Sequence, residues 1–213
     1  FENNEPMGAA WGVWHTPDYY VSLLGSIGQL NFNGIDRTIQ LGTDLRTETA
    51  STDGSQMGGE LAAGYWFHFD DLKTGPFASI SHERVRVGSF SERGDDSTAM
   101  TFGRQDLDST IGSVGWEFTG DDKAFGGNFH PFARVAYEHE YDTDPRYVTA
   151  GLVGLNGTFS LQGYQPDSSY WTGELGVSAN FGSGFTGYAA YSGHFGDSNE
   201  NVNSFNLGVK WSW

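Results

Sequence analysis

The chain has 213 residues, of which 31 are glycine and 15% are aromatic, and its 11 Lys and Arg against 27 Asp and Glu give a formal net charge of −16. This acidity disfavours nucleic acid as a partner because phosphates would be repelled, and the lack of cysteine excludes disulfides and thiolate sites. With a mean hydropathy of −0.45 and no apolar run of 18 residues, a transmembrane helix is excluded, whereas membrane strands need only alternate apolar residues.

Alternation of apolar and polar residues predicts about nine strands. In chain order these are residues 7–15, 19–41, 60–69, 76–90, 98–119, 132–152, 158–181, 185–195 and 204–213. Short turns alternate with longer polar segments, and residues 43–55 are predicted as a loop or the wet top of a hairpin. This asymmetry is typical of the periplasmic turns and extracellular loops of a membrane β-barrel.

The second predicted strand is too long for a membrane span. Its first half has an apolar face that includes Tyr19, Leu23 and Ile27, whereas both faces are polar from about Asn31 onward. About 9 to 11 residues cross a bilayer, so the polar half is expected to project beyond it.

The last predicted strand carries a terminal motif. Phe205, Leu207, Val209, Trp211 and Trp213 share one face, and polar or small residues share the other. The positions Asn206, Gly208, Trp211 and Trp213 resemble the C-terminal assembly signal of bacterial outer-membrane β-barrels.

The number of predicted strands decides whether they can form a closed barrel. In an up-and-down antiparallel barrel the first and last strands pair with each other, which requires an even number. Nine strands fail this test. Either one long segment is two strands or strands precede Phe1, and the second is the expectation.

Five segments resemble one family. They are FNGIDRTIQL at 32–41, RTETASTDG at 46–54, STAMTF at 97–102, YEHEYDTDPRYVTAG at 137–151 and GYQPDS at 163–168. Together with the terminal strand they resemble the C-terminal translocator barrel of autotransporters, most of all those with a GDSL-type esterase passenger.

The resemblance implies an all-β, transmembrane, up-and-down antiparallel barrel of twelve strands in the Gram-negative outer membrane. Residues 1–213 would be the translocator without its first strands, and the passenger would lie outside this chain. The implied partners are outer-membrane lipid and lipopolysaccharide, the chain's own passenger and the barrel assembly machinery, with no cofactor.

Two sets of residues follow from the alternation. Charges assigned to the lumen are expected to be hydrated and cross-paired, with Arg134 and Lys210 offsetting part of the carboxylate field; the set is Glu60, Glu83, Arg134, Glu138, Glu174 and Lys210. Aromatic residues are expected to form an interfacial girdle; the set is Trp116, Trp171, Phe181, Trp211 and Trp213.

No catalytic or metal site is predicted. The triplet Gly196, Asp197, Ser198 suggests an esterase nucleophile, but it lacks a following leucine and downstream triad partners, so turn chemistry explains it. The six histidines have no metal-ligand spacing. The oxygen-rich 142–144 and 197–200 segments offer ligands for calcium or for lipopolysaccharide bridged by divalent ions, but they match no EF-hand, and solvated loop charges are the preferred account.

Three alternatives stay open at this point. A porin or structural barrel without passenger would use the same wall. A barrel-embedded lipid hydrolase would need a serine and a histidine paired just outside the lipid face. A soluble β-sandwich would turn the aromatic residues into a dry core.

Overall fold

The computed structural model describes residues 2–94, 97–120, 129–163, 165–182, 184–196 and 202–211. The strands in these ranges are β1 Glu2–Asn4, β2 Met7–His15, β3 Tyr19–Leu41, β4 Asp44–Tyr65, β5 Phe67–Phe69, β6 Leu72–Val87, β7 Phe90–Ser91, β8 Met100–Phe102, β9 Gln105–Gly120, β10 Phe129–Glu140, β11 Tyr147–Leu152, β12 Thr158–Gln162, β13 Ser169–Gly182, β14 Phe185–Phe195 and β15 Asn203–Trp211. No helix among the described residues is long and apolar enough to cross a membrane.

The main sheet is an antiparallel meander with nine positions across it. β1 and β2 both pair with β3, then β4, β6, β9, β10, β13, β14 and β15 follow in order, and β5 extends β4 along β6. The predicted number of nine strands therefore matches the nine positions of this main sheet, which is called the wall below. Among the described strands, the sheet order ends at β2 on one side and at β15 on the other.

Three predicted segments are wrong as single strands. Segments 98–119, 132–152 and 158–181 each divide, and the detached pieces β8, β11 and β12 join β7 in a separate four-stranded sheet. Pro145 and Pro166 lie in the interruptions, where the missing N–H cannot join a ladder. The three long segments are therefore divided, but β8, β11 and β12 are not part of the main sheet, and the number of strand positions in that sheet stays at nine.

Residues 43–55 belong to a strand hairpin, so the loop interpretation is wrong and the hairpin interpretation is right. β3 and β4 pair from Tyr19 opposite Tyr65 to Leu41 opposite Asp44. A two-residue turn joins them, with Gly42 at a φ of +64° that glycine adopts without strain. At about 3.3 Å per residue the 23 residues of β3 are roughly 75 Å long, far more than a bilayer requires.

The sheet curls so that one face is concave. Side chains from six strands line a single cavity of about 320 Å³ on this face, for example Glu60, Ser79, Ser113, Arg134, Thr172 and Ser192. The opposite face is apolar and exposed, with Leu175 at 61% and Trp171 at 52% of their full accessible area. The faces are thus a polar inside and an apolar outside, which excludes the soluble sandwich with a dry aromatic core.

The segment after β6 docks onto the β3–β4 hairpin through charged groups. Arg37 donates to both carboxylate oxygens of Glu92, at 2.8 and 2.5 Å, and the Met100 amide donates to Glu92 at 2.8 Å. Glu48 is fully buried and accepts from the Thr98 hydroxyl at 2.5 Å. Because Glu48 lies against Gly94, a side chain at that glycine would overlap its carboxylate.

We predict that this docking is acid-sensitive. The Arg37 guanidinium holds the pKa of the Glu92 carboxyl below its usual range, so docking is stabilised above that range and weakens as pH falls through the lowered pKa. Glu92→Gln should release the segment at neutral pH, seen as faster hydrogen exchange at the Met100 amide. Asp53→Asn, at an exposed position, is the matched control and should have no such effect. Unchanged exchange in Glu92→Gln would contradict the docking role.

Candidate functional site

The middle of the concave face is organised around Arg134. Its register places it opposite Glu117 of β9 on one side and opposite Glu174 of β13 on the other. Its guanidinium carbon lies 3.8 Å from the centre of the Phe77 ring, within cation–π range. One cation is therefore held between two carboxylates and an aromatic face.

Aromatic side chains fit on the concave face because the residue next to each of them on the neighbouring strand is a glycine. The Phe77 ring occupies the place that a side chain at Gly115 would need, and Tyr20 does the same at Gly64. This position brings the Tyr20 hydroxyl to 2.8 Å from Glu117, to which it donates. Tyr20 and Phe77 were not predicted as site residues, although both fall on the inner face by alternation.

A second group of polar side chains, Glu138, Thr172 and His194, lines the same cavity as Arg134. Thr172 donates to Glu138 at 2.8 Å, and His194, opposite Thr172 in the register, stacks on Tyr170 with ring centres 5.2 Å apart. In the described part of the chain the buried Nδ1 atom of His194 has no hydrogen-bond partner.

The structure brings together four of the six charges assigned to the lumen. Glu60, Arg134, Glu138 and Glu174 line the same cavity. Glu83 lies farther along the inner face, opposite Gly58 and Ser109, and Lys210 lies opposite Thr186 near the end of β15, outside this cavity. The cavity residues therefore favour a positively charged or hydrated polar guest over an apolar one.

The aromatic residues assigned to the girdle lie on the outer face in two bands. Trp116, Phe181 and Trp211 lie near the end of the wall where β9 ends and β14 begins. Trp171 lies near the opposite end, and its ring centre is 5.4 Å from that of Tyr137. All four are at least 39% exposed. Trp213 lies outside the described residues.

The terminal-signal residues belong to the last strand of the sheet. Asn206 pairs with Ala190, Gly208 pairs with Tyr188, and Trp211 stacks on Phe185 with ring centres 5.9 Å apart. The Tyr188 ring covers Gly208 on the inner face.

One serine and one histidine are paired on the outer face. His139 Nδ1 lies 2.9 Å from the Ser169 hydroxyl, across the β10–β13 pairing. His139 contacts the Tyr141 ring, and the described residues show no carboxylate bonded to this histidine. The triplet Gly196, Asp197, Ser198 lies mostly outside the described residues, and no group of three metal-ligating side chains occurs within them.

A family model and several relatives identify the family of this chain. The model of the autotransporter beta-domain matches residues 3–192. Lipase 1 of Photorhabdus luminescens is 31% identical over 210 residues, which cover 96% of this chain and 31% of that protein. Esterase EstA of Pseudomonas aeruginosa is 28% identical over 187 residues, which cover 84% of this chain and 28% of that protein. The chain spans less than a third of the length of these relatives.

A solved structure has the same fold. The translocator domain of autotransporter NalP from Neisseria meningitidis matches 99% of this chain and 68% of its own length, with a TM-score of 0.73 and 16% identity. The family model covers most of the sequence and the wall has the architecture of a translocator barrel. This chain therefore belongs to the autotransporter beta-domain family, whose barrels lie in the outer membrane of Gram-negative bacteria.

Proposed function

We propose that this chain is the membrane anchor and translocator of a protein whose passenger is a GDSL-type esterase or lipase. The observation that carries the proposal is the family match over residues 3–192, joined to a concave wall lined by polar and charged groups. Two relatives over most of the chain are named a lipase and an esterase. Catalysis is assigned to the passenger and not to this stretch.

The lumen charges supply a hydrated path for the passenger segment. Backbone groups of a chain in transit would be costly in hydrocarbon, whereas water and polar side chains on the concave face satisfy them. Around Arg134, the carboxylates Glu117, Glu138 and Glu174 outnumber the cation, so the path favours a segment with basic side chains.

Further strands complete the barrel in this proposal. β2 and β15 occupy the first and ninth positions of the meander and run in the same direction, so they cannot close the wall by pairing antiparallel with each other. Three strands between them would give the twelve that the family resemblance implies. Residues 1–213 would then be nine-twelfths of one translocator barrel.

Two further partners are proposed. The terminal strand, with Asn206, Gly208, Trp211 and Trp213, is the segment offered to the barrel assembly machinery, and lipopolysaccharide surrounds the outer half of the wall. The exposed apolar side chains of β15 and the two aromatic bands support a membrane-embedded outer face.

The function is tested in the full-length protein expressed in a Gram-negative host. Intact cells should hydrolyse an added short-chain ester, and external protease should remove that activity. A version lacking residues 202–213 should lose surface activity because the last strand of the wall is missing. A full-length protein with no passenger, or one that only conducts ions, would favour the porin or structural barrel instead.

We predict that Arg134→Glu reduces both the heat-resistant folded barrel and the passenger at the surface. Removing the cation leaves Glu117 and Glu174 facing a third carboxylate, a change that should cost about 2 kcal/mol in a hydrated lumen. Arg93→Glu, at an exposed side chain outside the lumen cavity, makes the same change of charge and is the control. Equal folding and conductance in the two variants would remove the role given to Arg134.

We predict that Ser169→Ala leaves ester hydrolysis by the full-length protein unchanged, because the His139–Ser169 pair is a cross-strand hydrogen bond between polar groups. The measurement is whole-cell activity divided by the amount of surface protein. An activity loss of tenfold or more at equal surface protein would instead support a hydrolase embedded in the barrel wall.

A further inference from the structure

An outward-facing arginine cluster lies just beyond the lipid-facing part of β6 and β9. On the outer face of this strand pair, the last apolar side chain is Ile80, opposite Gly112, and it is 50% exposed. The next outward pair is His82 with Thr110, joined at 2.9 Å. Because outward pairs follow every second residue, at roughly 6.6 Å along the strands, the next positions fall where lipid headgroups begin.

Two arginine–aspartate pairs occupy these next positions. Arg84 is bonded to the carboxylate of Asp108, and Arg86 Nε lies 3.2 Å from Asp106. Arg104 Nη2 lies 2.9 Å from the same Asp106 oxygen. Two arginines therefore share one carboxylate, and the charge of Asp106 neutralises only one of them.

The cluster continues into an open cavity of about 420 Å³ between the end of β9 and the 141–148 segment. Arg146 lies on its wall and donates to the Asp108 carbonyl at 2.8 Å. Tyr141 and Tyr147, 63% and 59% exposed, line the same cavity, as do Asp142 and Asp144. A volume of this size is adequate for a phosphorylated sugar.

Arginine is concentrated at this surface more than elsewhere in this acidic chain. Four of the chain's 11 Lys and Arg residues gather at this one outer surface, where Asp106, Asp108, Asp142 and Asp144 balance their charge, whereas the whole chain carries a net charge of −16. The side chains of Arg86 and Arg104 are 46% and 56% exposed. A guanidinium has five N–H donors, and each of these two arginines contacts Asp106 through one nitrogen, so both retain donors for a ligand.

We propose that this surface binds the phosphorylated headgroup of an outer-leaflet glycolipid, the lipid A part of lipopolysaccharide. Arg86 and Arg104 hold a phosphate through their remaining donors, since a guanidinium fork matches phosphate oxygens. Asp142 and Asp144 lie on the loop side of the cavity, so the phosphate is placed on its β6–β9 side. The inference rests on the outer-membrane placement and specifies the lipid partner of the proposed function.

The test uses the full-length protein purified in a mild detergent, with lipid A binding measured by native mass spectrometry. Lipid A that retains its phosphates should bind the parent protein, and Arg86→Gln combined with Arg104→Gln should weaken binding roughly tenfold or more. Arg46→Gln combined with Arg93→Gln removes two arginines from the same side of the membrane, outside the cluster, and should have no effect.

Three further measurements separate the explanations. Dephosphorylated lipid A should bind the parent protein as weakly as intact lipid A binds the double variant. Millimolar inorganic phosphate should not displace lipid A; displacement would show a site for free phosphate and overturn the lipid assignment. Arg86→Lys should bind less well than the parent, because lysine keeps the charge and loses the fork.

Equal lipid binding by the parent and by the Arg86→Gln, Arg104→Gln variant would overturn the proposal. Lipid A binding by the Arg86→Gln and Arg104→Gln single variants is measured as well. If the double variant does not fold, the single variants are compared with the parent protein. Passenger activity at the cell surface is recorded in parallel. Its retention with loss of lipid binding supports both proposals, whereas loss of passenger display with intact lipid binding contradicts the translocator function alone.

Discussion

The structure depends on one constraint, which is that a backbone in hydrocarbon must find all its hydrogen bonds within the protein. A strand forms its backbone hydrogen bonds only with the strands on either side of it. The wall therefore runs as one uninterrupted antiparallel meander from β2 to β15. The second sheet, built from β7, β8, β11 and β12, tolerates short strands and irregular connections because it lies beyond the wall, where water is available.

The same wall has to be oily outside and wet inside. Leu175 and Trp171 face outward, whereas Glu174 and Thr172 line the concave cavity, which follows from the two-residue period of a strand. Aromatic groups enter the inner face only where the neighbouring strand provides glycine, as Phe77 does at Gly115. The rings then lie along the wall and leave space for a guest, and Phe77 supports the Arg134 guanidinium.

Beyond the membrane, charge organises the molecule. The Glu92 and Glu48 carboxylates tie the segment after β6 to the long β3–β4 hairpin, and the Arg84 and Arg86 pairs join β6 to β9 on the outer surface. Ion pairs of this kind suit the region outside hydrocarbon, where water lowers their desolvation cost. In the proposed lipid site, the arginine donors that these pairs leave free would bind a phosphorylated headgroup.

The alternation of apolar and polar residues from Met7 to Trp211 predicts nine strand positions and the side chains that face lipid, because strand geometry is local. The terminal motif and the short segments also indicated the family. The departure of residues 100–102, 147–152 and 158–162 from the wall into a second sheet is visible only in the folded chain, because strand pairing between distant segments has no local signature. The grouping of Tyr20 with Glu117 arises from the curl of the sheet, and the contact of Arg146 with β9 arises from the path of the 141–148 segment; both join residues far apart in the chain.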